Sequence, residues 1–381
     1  MELPPDPNAA PTRALIHTGR VGYNLRLLRA YAKDAALWPV IKANAYGHDA
    51  HLLARYLSAV GYHNFCVANP SEAIQLIAQG ISARYLVMSP QPIDEATEIV
   101  SHDLEAVVCT RDQVDALSRA AGAQEREAAV HILVDTGMAR AGVKSSEFED
   151  FAAYCDMLAG IRVAGVMSHF ARADEADQAY SLTQTASFRQ LHMRYHESLN
   201  CAWHLANSAG MMALPDALFD AVRPGIAMYG LNPFSASLSD TVAAGLKPVM
   251  EVHTRITHLA EVMAGTGISY GHRYQSDQDA LIATVPIGYG DGLSRALSDN
   301  IDMLVNGHRC PQVGSITMDQ SLLDVSALRG QVTVGDNVVV IGQQGGESIS
   351  ADELAARANT INYEIVTAIS ARVPRIEIGE S

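Results

Sequence analysis

Residues able to do chemistry in this chain follow short apolar runs. Lys42 comes directly after Trp38–Ile41. A lysine amine that enters an apolar environment loses its proton more readily, becomes nucleophilic and can hold an aldehyde as a Schiff base. A lysine that merely extends to the rim of a domain would show the same spacing, so the position alone leaves both interpretations open.

Two later segments have the composition of an anion site. Asn207 and Ser208 lie between an apolar run and a short helical pattern, where N-cap residues belong. Backbone amides at such a position favour a phosphate, and Gly225 and Ile226, after Arg223, could offer a second set of amides. An ordinary helix cap is the alternative, and the pattern taken alone favours it.

Several other kinds of site are disfavoured. Asp135–Gly137 matches the tripeptide of aspartic proteases, which need two copies on a β scaffold, but it occurs once here and ends an apolar run. The fourteen histidines have no H-E-x-x-H or similar ligand spacing, and the five cysteines include no C-x-x-C pair. We therefore expect neither a metal centre nor a disulfide framework.

The elements that must position these residues are eight apolar runs that alternate with helical patterns. The runs are Trp38–Lys42, Phe65–Ala68, Tyr85–Met88, Leu104–Val108, Val130–Asp135, Val163–Ser168, Ala202–Ala206 and Phe219–Arg223. Strands alternating with helices indicate a parallel sheet, and eight such units predict an α/β fold with a (β/α)8 TIM barrel over residues 15–240. Reactive groups of such barrels lie at the carboxyl ends of the strands. The unusual polar residues fall at those ends: Lys42, Arg140, His169, Asn207, Ser208 and Arg223.

After about residue 240 the pattern changes to short β-rich runs separated by turn signals such as Asn306-Gly307. The runs are Val252–Ala260, Leu281–Val285, Asp302–Val305, Val332–Val334 and Asn337–Ile341, with a helix pair at about Ser350–Ala358 and Tyr363–Ile369. We predict that residues 241–381 form a second, mainly β domain.

Composition limits the partners. The 381 residues carry a formal charge of −15, which disfavours nucleic acid and anionic membranes because both would repel such a surface. The chain lacks an apolar stretch of about 18 residues, and Met1–Pro11 lacks the apolar core of a signal peptide. We expect a cytoplasmic enzyme with a small-molecule substrate.

Nine segments together resemble the alanine racemase family over nearly the whole chain. They are Val40–His48, Val134–Arg140, Ser168–Ala171, His204–Ser208, Arg223–Gly230, Ser269–Gly271, Gly288–Gly292, Met318–Gln320, and Tyr363-Glu364 before Arg372–Arg375. The resemblance implies pyridoxal 5'-phosphate (PLP) as the cofactor, and a head-to-tail homodimer. It also implies that the segment before the barrel, residues 1–14, joins the second domain.

The resemblance further implies a role for each matched residue. Lys42 would hold the cofactor and act as the base on one face of the substrate, and Tyr270 of the other subunit would act on the opposite face. Cofactor-binding positions would be Tyr46, Ser208, Gly225, Ile226 and Tyr363 around the phosphate, Asn207 next to Ser208, and Arg223, with His169 and His204 beside it, at the pyridine nitrogen. Arg140 and the backbone amide of Met318 would meet the substrate carboxylate.

Two positions depart from the family's pattern. A carbamylated lysine often stands seven residues before the arginine matched by Arg140, whereas this chain has Leu133 there. We expect a bound anion or a neighbouring side chain to anchor Arg140 instead. An arginine usually follows the glycine matched by Gly314, whereas this chain has Ser315. Both departures put the substrate preference in doubt while leaving the two bases intact.

Four hypotheses about the function therefore remain open. An alanine racemase that supplies D-alanine for the cell wall is the leading hypothesis, and Leu133 and Ser315 keep a broader or serine-preferring racemase as the runner-up. A PLP-dependent decarboxylase is disfavoured by Arg223, because such enzymes are expected to place an acidic residue at the ring nitrogen. A non-catalytic PLP-binding protein is disfavoured by the second domain and Tyr270.

Overall fold

The computed structural model describes residues 10–234 and 245–379, which fall into two compact units. The barrel unit comprises Val21–Ala45 and Ala50–Lys247, and the β unit comprises the chain up to Arg20, Tyr46–Asp49 and the chain from Pro248. The expected boundary between residues 240 and 241 lies outside the described residues. The domain limits 15–240 and 241–381 with 1–14 therefore stay a prediction.

Eight parallel strands form the sheet of the barrel unit. In chain order they are β2 Ala36–Leu37, β3 Asn64–Val67, β4 Arg84–Val87, β5 Glu105–Val108, β6 Ala128–Asp135, β8 Ile161–Met167, β9 Ala202–Asn207 and β10 Ala221–Arg223, with the short β7 Val143–Lys144 beside β6. Hydrogen bonding orders them β2-β10-β9-β8-β6-β5-β4-β3, and a parallel bridge from Val40 to Cys66 joins the two end strands. The expected (β/α)8 fold is confirmed.

Helices follow most of these strands. They are α1 Thr18–Ala32, which begins in the β unit, α2 Ala50–Ala59, α3 Pro70–Ala78, α4 Ala96–Ser101, α5 Arg111–Gln124, α6 Phe148–Met157, α7 Ala179–Leu199 and α8 Ser208–Ala213. Local sequence explains several starts: Asn69 caps α3 with Pro70 in its first turn, and Thr110 and Gln113 form a capping box on α5. These starts fix where each strand-to-helix connection ends.

The β unit has a larger sheet, a smaller sheet and the two-stranded pair β13-β14. Its strands are β1 Arg13–His17, β11 Met250–Arg255, β12 His258–Val262, β13 Gly267–Ile268, β14 Tyr274–Gln275, β15 Ala280–Val285, β16 Asp302–Val305, β17 His308–Pro311, β18 Ser321–Asp324, β19 Asn337–Gln344, β20 Glu347–Ile349 and β21 Arg375–Ile378, with helices α9 Ala351–Ala358 and α10 Asn362–Ala368. The larger sheet has the order β17-β16-β19-β11-β1-β21, and the smaller one β12-β15-β18. The expected mainly β second domain is confirmed.

Two strand predictions in this unit are wrong. Val252–Ala260 is interrupted after Arg255, because the chain passes there from the larger sheet to the smaller one. Val332–Val334 is not a strand: the Asp336 carboxylate accepts hydrogen bonds from the amide and hydroxyl of Thr333, at 2.9 Å each, and holds the segment in a turn. Apolar runs do not reveal either event, since both depend on distant or polar partners.

Candidate active site

Lys42 follows the closing bridge of the barrel, but it is not the last residue of a strand as predicted. The regular strand ends at Leu37, and Lys42 opens a left-handed turn in which residues 43–46 have φ of 52–54°. Such angles are costly for alanine and need outside support. The Glu72 carboxylate supplies it by accepting hydrogen bonds from the amides of Ala43, at 2.6 Å, and Ala68, at 2.8 Å.

The charges around Lys42 favour a neutral amine. Burial lowers its pKa, and the guanidinium groups of Arg140 and Arg223 add to the effect, while the Glu72 carboxylate opposes it. A neutral amine is the form that can attack an aldehyde or accept a proton. The surroundings of Lys42 in the barrel unit are therefore consistent with the expectation that its amine loses its proton more readily than usual.

Arg223 ends strand β10 and is only 2% exposed. Its guanidinium donates to the carbonyl oxygens of Ser168, at 2.8 Å, and Leu205, at 3.0 Å, and contacts Nδ1 of both His204 and His169. Burial lowers the Arg223 pKa to about 10, so the group remains a cation near neutral pH. Its buried Nε–H has no acceptor among the described residues.

His169 lies two residues after the end of strand β8, among positive charges. Burial and then the charges of Arg223, Arg140 and Lys42 lower its pKa well below the usual value, so it is a neutral ring. Gln184 of α7 fixes the backbone there, since its amide nitrogen donates to the His169 carbonyl at 3.0 Å and its amide oxygen accepts from Ala171. Sequence reasoning missed Gln184 because nothing in its helix distinguishes it.

The proposed anion segments lie next to each other in the barrel unit. The Ser208 hydroxyl accepts hydrogen bonds from the amides of Gly225, at 2.9 Å, and Ala227, at 3.3 Å. Asn207 caps the following helix through the amide of Gly210, and Ile226 begins the 3₁₀ turn Ile226–Tyr229. Asn207 thus makes the cap expected of it, and Ser208 ties the two strand-to-helix loops together.

Arg140 stands on the exposed loop after strand β6. Leu133 is buried in that strand, and over the described ranges the guanidinium of Arg140 has no hydrogen bond or ion pair. The expectation that another side chain would anchor Arg140 finds no support in the part of the chain described. A bound anion stays a prediction.

The remaining predicted site residues belong to the β unit. Tyr46 and Tyr363 lie close together there, with ring centroids 5.9 Å apart. The next residue, Gly47, lets the backbone pass close to α10, because a Cβ atom there would lie 2.2 Å from the carbonyl oxygen of Val366. The two tyrosines assigned to the phosphate therefore form one pair.

Tyr270 begins a 3₁₀ turn and is 74% exposed. It lines an open pocket of about 460 Å³ together with His272, Thr317 and other residues of the β unit. Ser315 is buried, and its hydroxyl donates to the Tyr270 carbonyl at 3.1 Å. Met318 is also exposed, at 53%. Ser315 thus lies against the backbone that carries Tyr270.

The residues of the barrel unit fit PLP. The buried Nε–H of Arg223 is an unused donor that a ring nitrogen would satisfy, and Lys42 offers an amine for the aldehyde. Across residues 10–234 and 245–379, the structure has no group of three or more His, Cys, Asp or Glu side chains that could hold a metal ion. None of the helices described there is long and apolar enough to cross a membrane.

Comparison with known proteins extends over both units. The family description "Alanine racemase, N-terminal domain" matches residues 16–233, and "Alanine racemase, C-terminal domain" matches residues 249–377. The alanine racemase of Clostridium novyi is 36% identical over 372 residues, which cover 97% of this chain and 95% of that protein. The alanine racemase of Sorangium cellulosum is 39% identical, covering 96% of this chain and 98% of the relative.

Solved structures agree with these matches. Alanine racemase from Bacillus anthracis with bound L-Ala-P superposes with a TM-score of 0.90 at 35% identity, covering 97% of this chain and 95% of that one. The enzyme from Streptomyces lavendulae gives a TM-score of 0.89 at 34% identity, covering 100% and 99%. These likenesses support PLP-dependent racemisation of alanine and do not favour the decarboxylase or the non-catalytic protein. The chain belongs to the alanine racemase family of PLP-dependent isomerases.

Proposed function

We propose that this protein interconverts L- and D-alanine by a two-base mechanism, with Lys42 as one base and Tyr270 of the partner subunit as the other. One observation carries the part of this proposal that concerns the barrel unit. The same unit contains the Lys42 amine, whose pKa is lowered, and the buried Nε–H of Arg223, which has no acceptor among the described residues. Racemisation needs a proton removed from one face of Cα and another delivered to the opposite face. Two groups on opposite sides suffice.

PLP, when bound, withdraws electrons from the substrate Cα and makes its proton acidic. Lys42 would hold the cofactor and exchange the proton at its Nζ atom. Arg223 would donate a hydrogen bond to the ring nitrogen without transferring a proton, because it remains charged near neutral pH. A ring nitrogen that stays unprotonated is a weaker electron sink, which restrains side reactions such as transamination.

Other residues would bind rather than react. Ser208, Gly225 and Ile226 in the barrel unit would hold the phosphate, with Asn207 beside them and the pair Tyr46 and Tyr363 completing the set. The Ser208 hydroxyl accepts from the amides of Gly225 and Ala227, and these hydrogen bonds fix the two loops against each other.

The substrate carboxylate would meet the Arg140 guanidinium and the Met318 amide. His169 would stay neutral beside Arg223, since its pKa is well below the usual value. A neutral ring there avoids adding a further positive charge next to Arg223 and Lys42.

Borohydride reduction tests the role of Lys42. Treatment of the purified protein should fix the cofactor covalently to the peptide that contains Lys42, because reduction makes the link between amine and aldehyde permanent. Peptide mass spectrometry identifies the labelled lysine, with Lys247 of the same unit as the internal control. A label on any other lysine would overturn every site assignment made here.

Complementation tests the shared site. Lys42→Ala and Tyr270→Ala homodimers should each be nearly inactive, since each lacks one base. Refolding or coexpressing the two together should restore roughly a quarter of wild-type activity, because half of the random dimers are mixed and each has one intact site. No recovery, with mixed dimers verified by mass, would show that Tyr270 does not serve a partner's Lys42.

We infer from the resemblance that the protein is a head-to-tail homodimer in the cytoplasm that supplies D-alanine for the cell wall. Its negative charge of −15 disfavours nucleic-acid partners. A broader or serine-preferring activity keeps one supporting observation: the Arg140 guanidinium has no hydrogen bond or ion pair within the described residues, and Leu133 cannot carry a carbamate. Following the loss of optical rotation with a panel of L-amino acids measures that breadth, and an L-serine rate above the L-alanine rate would reject alanine as the preferred substrate.

A further inference from the structure

A chain of buried hydrogen bonds crosses the interior of the barrel from Arg223 to Glu105. Arg223 contacts Nδ1 of His204, Nε2 of His204 lies 2.9 Å from Nδ1 of His131, and Nε2 of His131 lies 3.1 Å from Oε2 of Glu105. His131 and His204 are fully buried, and Glu105 is 7% exposed. The roles assigned to the site do not use Glu105 or His131.

The two ends of this chain fix the direction of every hydrogen bond in it. A guanidinium can only donate, and an ionised carboxylate can only accept. Nδ1 of His204 must therefore accept from Arg223, which leaves Nε2–H of His204 to donate to His131. His131 in turn donates from Nε2–H to Glu105. Both rings are then neutral Nε2–H tautomers, in agreement with the lowering of their pKa values by burial.

The surroundings are built to keep the chain in place. Gly165 leaves room for the His131 ring, since a Cβ atom at that position would lie 2.3 Å from Nδ1 of His131 and 2.9 Å from the carbonyl oxygen of Ala202. Arg84 holds the far side of Glu105, with its Nε 3.0 Å from Oε1. Glu105 thus has one oxygen for His131 and one for Arg84.

A reversed chain would not be compatible with Arg223. If His131 donated from Nδ1 to His204, then His204 would carry its proton on Nδ1 and present it to the Arg223 N–H. Two donors facing each other in a buried site lose the hydrogen bond and repel. The guanidinium would then have to move from the position in which its Nε–H is unpaired.

We propose that Glu105 and His131 are positioning residues, which hold Arg223 through His204 in the orientation that leaves its Nε–H available to the cofactor ring. This inference rests on the proposed role of Arg223 at the ring nitrogen. Glu105 lies at the first residue of strand β5, whereas Arg223 ends strand β10. The residues that position Arg223 therefore extend through the barrel interior toward the end where the strands begin.

Glu105→Gln tests the direction of the chain. Arg84 binds Oε1 of Glu105 through both Nε and Nη2, so a glutamine is expected to give its oxygen to Arg84 and its NH₂ to His131. That arrangement reverses the chain and converts both histidines to Nδ1–H tautomers. Histidine ¹⁵N NMR of the full-length protein as purified distinguishes the tautomers, independently of activity.

Glu105→Gln should also lower the turnover number on the order of tenfold, with a smaller change in KM, because the defect affects the reacting cofactor rather than substrate binding. Combining it with Arg84→Met frees the glutamine oxygen to accept from His131, which should restore the Nε2–H tautomers and most of the turnover. If Glu105 and Arg84 served only to stabilise the fold, removing Arg84 as well would lower the turnover further instead of restoring it. Glu127→Gln, on an exposed ion pair of the same unit, is the control that leaves turnover unchanged.

Several results would overturn the proposal. An Nδ1–H tautomer of His131 or His204 in the wild-type protein would do so without any variant. So would wild-type tautomers or unchanged turnover in Glu105→Gln, or a double variant no better than the single one. A wild-type protein that shows the expected tautomers but no racemisation would instead reject the proposed function alone.

Discussion

Replacing Glu105 by glutamine should also remove stabilisation that depends on an ionised carboxylate. Burial alone would raise the Glu105 pKa, but hydrogen bonds from His131 and Arg84 outweigh it and lower the value from 4.5 to about 2. Because the pKa of this carboxyl is about 2 in the folded chain and about 4.5 in the unfolded one, its ionisation favours the fold by roughly 3 kcal/mol near neutral pH. The Glu105 side chain is only 9% exposed, so water screens its contact with the buried His131 little, whereas its contact with Arg84, which is 57% exposed, is partly screened.

The dependence on pH follows from the direction of the shift. Below about pH 4.5 the unfolded chain binds a proton at Glu105 while the folded chain stays ionised down to about pH 2. The stabilisation is therefore complete above the unfolded value and is lost as the pH falls toward 2. Its contribution should fall to roughly 1 kcal/mol at pH 3.

Urea unfolding of the wild type and Glu105→Gln between pH 7 and pH 3 measures this difference. Glu127→Gln is the matched control, because its partner Arg162 and Glu127 itself are more than half exposed, at 53% and 56%. The control should cost less than about 1 kcal/mol. A Glu105→Gln cost no larger than that of the control at pH 7, or one that does not shrink on acidification, would refute the reasoning.

Three further predictions each have a defined outcome. Because Leu133 has no amine to carbamylate, activity should not respond to bicarbonate and the intact mass should show no carbamate; reversible loss of activity on removing CO₂ would contradict this. Glu72→Gln should weaken PLP retention roughly tenfold in a cofactor-release assay, since one support of the turn after Lys42 is lost; unchanged retention would contradict it. Gly142→Ala should cost about 2 kcal/mol or more in urea unfolding, because its Cβ would lie 2.5 Å from a backbone nitrogen at φ +134°, whereas Gly122→Ala meets open space and should cost nothing; equal effects would contradict the reasoning.

The sequence predicted the barrel because its signals are local. An apolar run such as Val130–Asp135 and a helix start such as Asn69-Pro70 are both readable within a few residues. Because the reactive groups of such barrels lie at the carboxyl ends of the strands, the sequence also predicted that Lys42, His169 and Arg223 lie in one unit, as they do in the structure. Their catalytic roles came from the resemblance and remain proposals.

Other features were decided by contacts between distant parts of the chain. The turn at Lys42 depends on Glu72, 29 residues from Ala43, and the tautomers beneath Arg223 depend on Glu105. Neither carboxylate differs in sequence from an ordinary surface acid. Closure of the sheet buries Glu105, which must find donors because a buried charge without partners is costly, and it brings the half-buried Glu72 of α3 to the turn after Lys42. The sequence therefore determined which strands form, and the tertiary structure decided which carboxylates support the reactive residues.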